Sequence, residues 1–333
     1  MSKRKIKKSI KYSFIKILTG SDLSVRKLAY MQVDSNINGP VVWLTGCVHG
    51  DEVGGIVIIQ EIFKRLKKSP LIKGSLHAFP LMNPIGFELV TRGISLSEED
   101  LNRSFPGNAS GTLAERMASK IFAAIMKSKP TFVLDMHNDW INSIPHILID
   151  PFPGQKHKLA YSNTKLLASK MGFPIINEKE EAEESEELKK SLSGSLLARD
   201  IPALTLEIGG ASIVSSIIRE EEIQDGVKAI WDVLTYLGMV NPIIQDYNYE
   251  FPQQIKNKIL KYSHQPVCST SGIIRYLVKP GQLVKKDEAV ARIYNVFGKL
   301  QETLVASNNG LVLSHYDYSI AYPGAEIIAF GLF

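Results

Sequence analysis

The 333-residue sequence predicts an α/β fold on a mostly parallel or mixed sheet, followed by a small all-β region. Two observations carry the first part. Short apolar runs bounded by Gly, Pro and Asn alternate with longer segments, and in those segments apolar residues recur at helical spacing. A third observation carries the second part. After about residue 245, glycines punctuate short β-rich runs and no helical pattern returns.

The elements follow in order. Val41-Val42-Trp43-Leu44, between Asn38-Gly39-Pro40 and Gly46, reads as a buried strand. Gly54 to Leu66 is a helix with Ile56, Ile59, Ile62, Phe63 and Leu66 on its apolar stripe. Leu76 to Leu81 is a second strand, ending at Asn83-Pro84. Leu113 to Met126 is a helix, with Leu113, Met117, Ile121, Ala124 and Ile125 inward. Thr131 to Met136 and Ile147-Leu148-Ile149 are the third and fourth strands. Leu159 to Met171 is a helix, Ala203 to Leu206 a fifth strand, and Glu221 to Leu237 a closing helix. In the C-terminal part, Ile273 to Val278, Ala289 to Tyr294 and Gly310 to Leu313 are the clearest strands. The expected division is 1–245 and 246–333, with the boundary between Pro242 and Pro252. In open α/β sheets ligands bind beyond the carboxyl ends of strands, so strand-end residues are the first candidates for chemistry.

Composition bounds the partners. Hydrophobic residues make up 44% and charged residues 22%, the balance of an ordinary globular protein. No apolar run is long enough to cross a bilayer. Ile10, Phe14, Ile15 and Leu18 are interrupted by Lys11, Ser13 and Lys16, so no secretory h-region is read. Cys47 and Cys268 lie far apart and form no disulfide framework, which fits a cytoplasmic, reducing compartment. Much of the net charge of +5 comes from Lys3, Arg4, Lys5, Lys7 and Lys8. That cluster lacks interleaved aromatics and is expected to be a solvated tail rather than a nucleic-acid surface. Glu178 to Glu187 holds seven glutamates and one lysine. It reads as a solvated helix or loop, or alternatively as an acidic flap near a site.

Four segments carry chemistry. Thr45-Gly46-Cys47-Val48-His49-Gly50-Asp51-Glu52 follows the first strand, with His49 and Glu52 three apart in a glycine-rich turn. Imidazole nitrogen and carboxylate oxygen both suit zinc, and glycines free the backbone to aim two side chains at one point. The third strand ends Asp135-Met136-His137-Asn138. Two histidines and one glutamate make the three protein ligands of a catalytic zinc. Asp135 shares a strand face with His137, so its carboxylate either accepts the free N–H of that ligand or caps the next turn. Glu207 lies in the apolar run Leu204 to Ile208, where a carboxylate is costly unless it has a task or a partner. Burial would raise its pKa and suit it to proton transfer. Thr91-Arg92-Gly93 and Asp100-Leu101-Asn102-Arg103 offer guanidinium forks that suit a carboxylate, and the Asn102-Arg103 pair reads either as a carboxylate clamp or as a structural surface pair.

Together, Gly46 to Glu52, Asp100-Leu101-Asn102-Arg103-Ser104-Phe105-Pro106-Gly107, Asp135 to Asn138 and Leu206-Glu207-Ile208-Gly209-Gly210 resemble the succinylglutamate desuccinylase and aspartoacylase family. That family is itself similar to zinc carboxypeptidases. The resemblance spans about residues 40 to 240 and implies a mixed-sheet, carboxypeptidase-like catalytic domain. It implies that His49, Glu52 and His137 hold one Zn2+ per chain. Glu207 would be the general base that activates the attacking water and then protonates the leaving amine. Arg92 would polarise the scissile carbonyl, and Asn102 and Arg103 would bind the substrate carboxylate. The C-terminal region resembles the biotinyl/lipoyl-like barrel appended to some bacterial members, through Gly272-Ile273-Ile274, Val278 to Val284 and Asn309 to Val312. No Met-Lys-Met carrier tip is present, so shielding the site or forming an oligomer contact is the expected role.

The expected function is hydrolysis of the amide bond of a small N-acylated amino acid or related carboxylate-bearing amine. The partners are then a small-molecule N-acyl substrate and a second copy in a homo-oligomer, with no nucleic acid and no membrane. A metallocarboxypeptidase acting on short peptides, or a non-catalytic small-molecule-binding relative, are the alternatives. The last would show an eroded site, and no expected residue is missing. His77, His146, His157, His264 and His315 lack ligand spacing and are expected to be structural or surface residues. Cys47 reads as a small buried residue at a strand end. Phe63, Phe122 and Trp231 read as core.

Overall fold

The computed structural model describes residues 10–19, 23–178, 186–210, 220–256 and 258–333. The basic cluster from Lys3 to Lys8 and most of the acidic run after Glu178 lie outside them. The strands are β1 (Lys11–Thr19), β2 (Val25–Asp34), β3 (Val41–Gly46), β4 (Ser75–Phe79), β5 (Phe132–His137), β6 (Asn142–Ser143), β7 (His146–Ile149), β8 (Ile175–Asn177), β9 (Ala203–Glu207), β10 (Ile259–Ser263), β11 (Gly272–Tyr276), β12 (Leu283–Val284), β13 (Ala289–Tyr294), β14 (Leu300–Val305), β15 (Gly310–His315), β16 (Ile320–Ala321) and β17 (Ile328–Leu332). The helices are α1 (Gly54–Lys68), α2 (Pro84–Leu89), α3 (Leu113–Lys127), α4 (Lys158–Ala168), α5 (Leu192–Leu197) and α6 (Glu220–Tyr236).

The centre of the fold is the parallel run β4-β3-β5-β9, with Val42 opposite Leu76 and Phe132, and Leu134 opposite Leu204. These strands are buried on both faces. Every residue of β4 and β5 is buried, which is why they read as continuous apolar runs rather than alternating ones. β7 then joins β9 antiparallel, so the sheet is mixed. On one face α1 packs with α6 and α4, and Ile58, Ile62 and Phe63 meet Val227, Ile230 and Trp231. On the other face α3 places Met117, Ile121 and Phe122 against Trp43, Phe79 and Val133. Each such side chain removed from water contributes about 2 kcal/mol. α3 is also held at its start: Thr112 Oγ1 accepts from the Glu115 N–H at 3.3 Å while Glu115 Oε2 accepts from the Thr112 N–H at 2.8 Å.

The hairpin β1–β2 adds antiparallel to β4. Its lysine-interrupted apolar residues gave no strand signal in the sequence. At the other end, β10 pairs parallel with β8 and antiparallel with β17. The sheet therefore continues into the C-terminal strands in the order β1-β2-β4-β3-β5-β9-β7-β8-β10-β17-β15-β12, and β6 pairs with β15. A separate four-stranded sheet, β14-β13-β11-β16, completes the all-β region. Between the sheets lies a small core that includes Val290, Ile293, Val312, Ile327 and Phe330.

One consequence bears on the site. The loop leaving β5 is tied down by C-terminal residues. Asp317 Oδ1 accepts from the Ile141 N–H at 2.6 Å, Ser143 and Asn142 pair with Ser314 and His315, and Trp140 stacks on His264.

Candidate active site

The carboxyl ends of β3, β5 and β9 lie side by side. Gly46 is in register with Met136, and His137 is in register with Glu207. The chain leaves β3 through Cys47, which takes the left-handed conformation at φ 54°. The glycines of this turn have a different task from the one the sequence suggests. Gly50 is not left-handed; a Cβ there would sit 2.0 Å from the Gly86 carbonyl carbon and 2.3 Å from the Phe87 nitrogen. It permits two backbones to touch, and that contact presses the His49 turn against α2.

His49, Glu52 and His137 are buried, and their ligating atoms all lie within 4.8 Å of one another. Glu52 is the hub. Its Oε1 lies 2.6 Å from His49 Nδ1, its Oε2 lies 2.9 Å from His137 Nδ1, and the two Nδ1 atoms are 3.2 Å apart. The outward nitrogens have their own acceptors. His137 Nε2 faces Asp135 Oδ2 at 3.0 Å, and His49 Nε2 faces Asp100 Oδ1 at 3.2 Å. Thr45 Oγ1 donates to the other Asp135 oxygen at 2.7 Å.

The carboxylates assign an Nε2–H to each ring, which turns both Nδ1 lone pairs toward Glu52. Three acceptors then converge, an arrangement that a divalent cation satisfies. Without a cation, Glu52 stays ionised and His137 keeps its proton. Burial alone would push the Glu52 carboxyl up, but His49 and His137 hold it well below the usual carboxylate range. Burial alone would lower His137, but Asp135 and Glu52 raise it well above the ordinary imidazole value. A metal displaces that proton, as ligation requires. The donor set of two imidazoles and one carboxylate fits zinc.

The backbone N–H of Asn138 donates to Glu52 Oε2 at 3.1 Å, and its side chain bridges the Gly54 N–H and the Gly209 carbonyl. Glu207 stands at the end of β9 beside His137, and its Oε2 is buried with no hydrogen-bond partner. Burial pushes this carboxyl well above its ordinary value; His137 opposes the shift, and Asp139 and Glu52 add to it. Arg92 is half exposed, with Nη1 3.4 Å from Glu52 Oε1 and Nη2 3.3 Å from Asp100 Oδ2. Asn102 is buried, and its Oδ1 accepts from the Leu192 N–H at 2.9 Å. Arg103 donates through Nη1 to the Asn102 carbonyl at 2.9 Å.

All seven sequence candidates line one cavity of about 140 Å³. Of the two readings of Asp135, the structure shows the histidine partner. Cys47 is fully buried and contributes no ligand; burial pushes its thiol far up. Among the described residues no second group of metal-ligating side chains is present. His77 packs under Trp43 and bonds Tyr30 and Ser75, and His315 stacks on Tyr276, both structural as expected.

Sequence reasoning missed the partner role of Asp100 and the wall formed by Asp150, Ser191 and Ser193. Asp100 is 51 positions from His49, and nothing in that spacing points to a contact. Asp150 was findable, because it ends an apolar strand just as Glu207 does.

The catalytic-domain model of the succinylglutamate desuccinylase/aspartoacylase family matches residues 38–237. The N-alpha-acetyl-L-2,4-diaminobutyric acid deacetylase of Halomonas elongata is 24% identical over 301 residues, 86% of this chain and 80% of the relative. Among solved structures, the product-bound ectoine utilization protein EutE of Ruegeria pomeroyi aligns with a TM-score of 0.77 at 18% identity, covering 97% of this chain and 95% of that one. A metallo-carboxypeptidase from Burkholderia cenocepacia aligns with a TM-score of 0.51 at 15% identity, over 68% of this chain and 64% of its own. The mixed α/β fold is thus the carboxypeptidase-like one.

Proposed function

Because this chain belongs to the succinylglutamate desuccinylase/aspartoacylase family, we propose that it is a zinc-dependent hydrolase that cuts the amide bond of a small N-acylated amino acid. The observation that carries the reading is the placement of Glu207, whose Oε2 is buried and unpartnered, beside the converging His49, Glu52 and His137. Zinc held by those three residues would supply Lewis acidity and a lowered water pKa.

The chain's own residues do the rest. Glu207 takes a proton from the attacking water and returns it to the leaving nitrogen, a role that suits a carboxyl raised by burial. Arg92, half exposed and 3.3 Å from Asp100, brings positive charge to the oxygen on which charge develops. Asn102 and Arg103 bind the α-carboxylate, with the Asn102 amide already fixed by the Leu192 N–H. Asp139 and the C-terminal residues that hold its loop wall off water from one side.

The curated relative is named for an acetyl group, so N-acetyl amino acids are the first substrates to test. The experiment measures amine release from N-acetyl, N-succinyl and N-formyl amino acids and from dipeptides, with and without chelator. Chelator-sensitive release from an N-acyl class supports the proposal. Release from dipeptides alone would replace it with a carboxypeptidase, and silence from protein carrying one zinc per chain would overturn it.

A further inference from the structure

We propose that Asp150 sets the specificity of this cavity by binding an ammonium group, so that the amino acid released carries a cationic side chain. The proposal rests on the amide-hydrolase reading above and names its substrate class.

Asp150 follows β7 and is only 6% exposed, yet it lines the same cavity as His49, Glu52 and Glu207. Its nearest neighbours are uncharged. Ser191 Oγ lies 3.3 Å from Asp150 Oδ1 but 2.7 Å from the Leu188 carbonyl, and a hydroxyl has one proton to give. The shorter contact takes it, which leaves Ser193 as the hydroxyl that donates to Asp150. Arg103 is the nearby cation, but its Nη1 donates to the Asn102 carbonyl and its Nε faces Glu187 at 3.8 Å. Gly194 packs close to the carboxylate, since a Cβ there would approach Asp150 Oδ1 to 3.1 Å.

A carboxylate nine-tenths buried without a cationic partner is costly as an ion. Burial accordingly pushes Asp150 up to about 6, against the hydroxyls of Ser193 and Ser191. An ammonium ion entering the cavity would offset that cost.

The charge of the whole wall points the same way. Beyond the His–Glu–His group, the charged residues that line the cavity are Asp139, Asp150, Glu178 and Glu207 and the two cations Arg92 and Arg103. With Arg103 on the α-carboxylate and Arg92 at the scissile carbonyl, a substrate with a second carboxylate meets a wall whose remaining charged side chains are acidic. A substrate with an ammonium group meets a complementary wall.

The test compares kcat/KM of zinc-replete protein on matched pairs. These are the Nα-acetyl derivatives of 2,4-diaminobutyrate, ornithine and lysine against those of 2-aminobutyrate, norvaline and norleucine, with N-acetylaspartate added. The expected wild-type preference for at least one amine over its uncharged match is about 100-fold, the range of a charge pair in a partly desolvated site. Asp150→Asn collapses that ratio toward unity through KM. Asp150→Glu keeps the charge, advances it by one methylene, and shifts the preference to a shorter amine. Wild type that cleaves the uncharged or acidic substrates as well as the amines overturns the specificity while the deacylase stands. A preference that survives in Asp150→Asn overturns the assignment to Asp150. Wild type that cleaves none of the panel removes both proposals. The wild-type ratio is read without any variant, so a poorly folding variant does not protect the idea.

Discussion

Asp135 and His137 share one face of β5, and Asp135 Oδ2 lies 3.0 Å from His137 Nε2. That contact fixes which nitrogen of His137 faces Glu52. Asp135 is itself fixed by Thr45 from the neighbouring strand, so the orientation of the His137 ring is set by strand pairing.

Replacing Asp135 by Asn should therefore weaken zinc binding without removing a ligand. Loss of such an outer carboxylate costs about 10- to 100-fold in metal affinity. Competition with a chromophoric chelator measures it. Asp100→Asn, acting on His49, should fall in the same range. Wild-type affinity in both variants would mean that the carboxylates do not hold the rings.

Gly50→Ala tests the close approach of the metal turn to α2. The added carbon would meet the Gly86–Phe87 peptide, at 2.0 and 2.3 Å, and backbone cannot rotate away. A loss of about 3 kcal/mol is expected, at the upper end for overpacking, read by urea unfolding of the metal-free protein. Zinc affinity should fall with it, because His49 is the adjacent residue.

Asp150 should cost stability at neutral pH. Its folded pKa of about 6 lies above the ordinary 3.8. The folded state keeps a proton that the unfolded state gives up, so stability is full below the ordinary pKa and declines as pH rises through about 6. Two pKa units correspond to roughly 3 kcal/mol. Asp150→Asn, which cannot ionise, should thus gain on wild type by about that much between pH 4 and pH 7 in the absence of substrate. Parallel urea titrations at the two pH values measure the gain. An unchanging gap would mean that Asp150 is not held up by burial.

The central elements were legible because they are buried on both faces. Val41 to Leu44 and Thr131 to Met136 are continuous apolar runs, and α1 and α3 have clear stripes. β1 and β2 were not legible, because an edge hairpin with one face in water needs few apolar residues. Nor does any local pattern say that β10 extends the catalytic sheet through β8, since that pairing joins residues 259 and 175. The convergence of His49, Glu52 and His137 was legible from residue type at strand ends and from the family resemblance. The groups that orient them were less so, because Asp100 reaches His49 through the fold of an irregular loop.

The most direct test of the account is Glu207→Gln, with zinc content and turnover measured on the same sample. Glu207 ligates nothing in the His49–Glu52–His137 group, so the variant should retain one zinc per chain and lose turnover by about 1,000-fold or more, within the range for removal of a general acid–base. A variant that keeps its zinc and cleaves N-acyl amino acids at near the wild-type rate would contradict the assignment of proton transfer to Glu207.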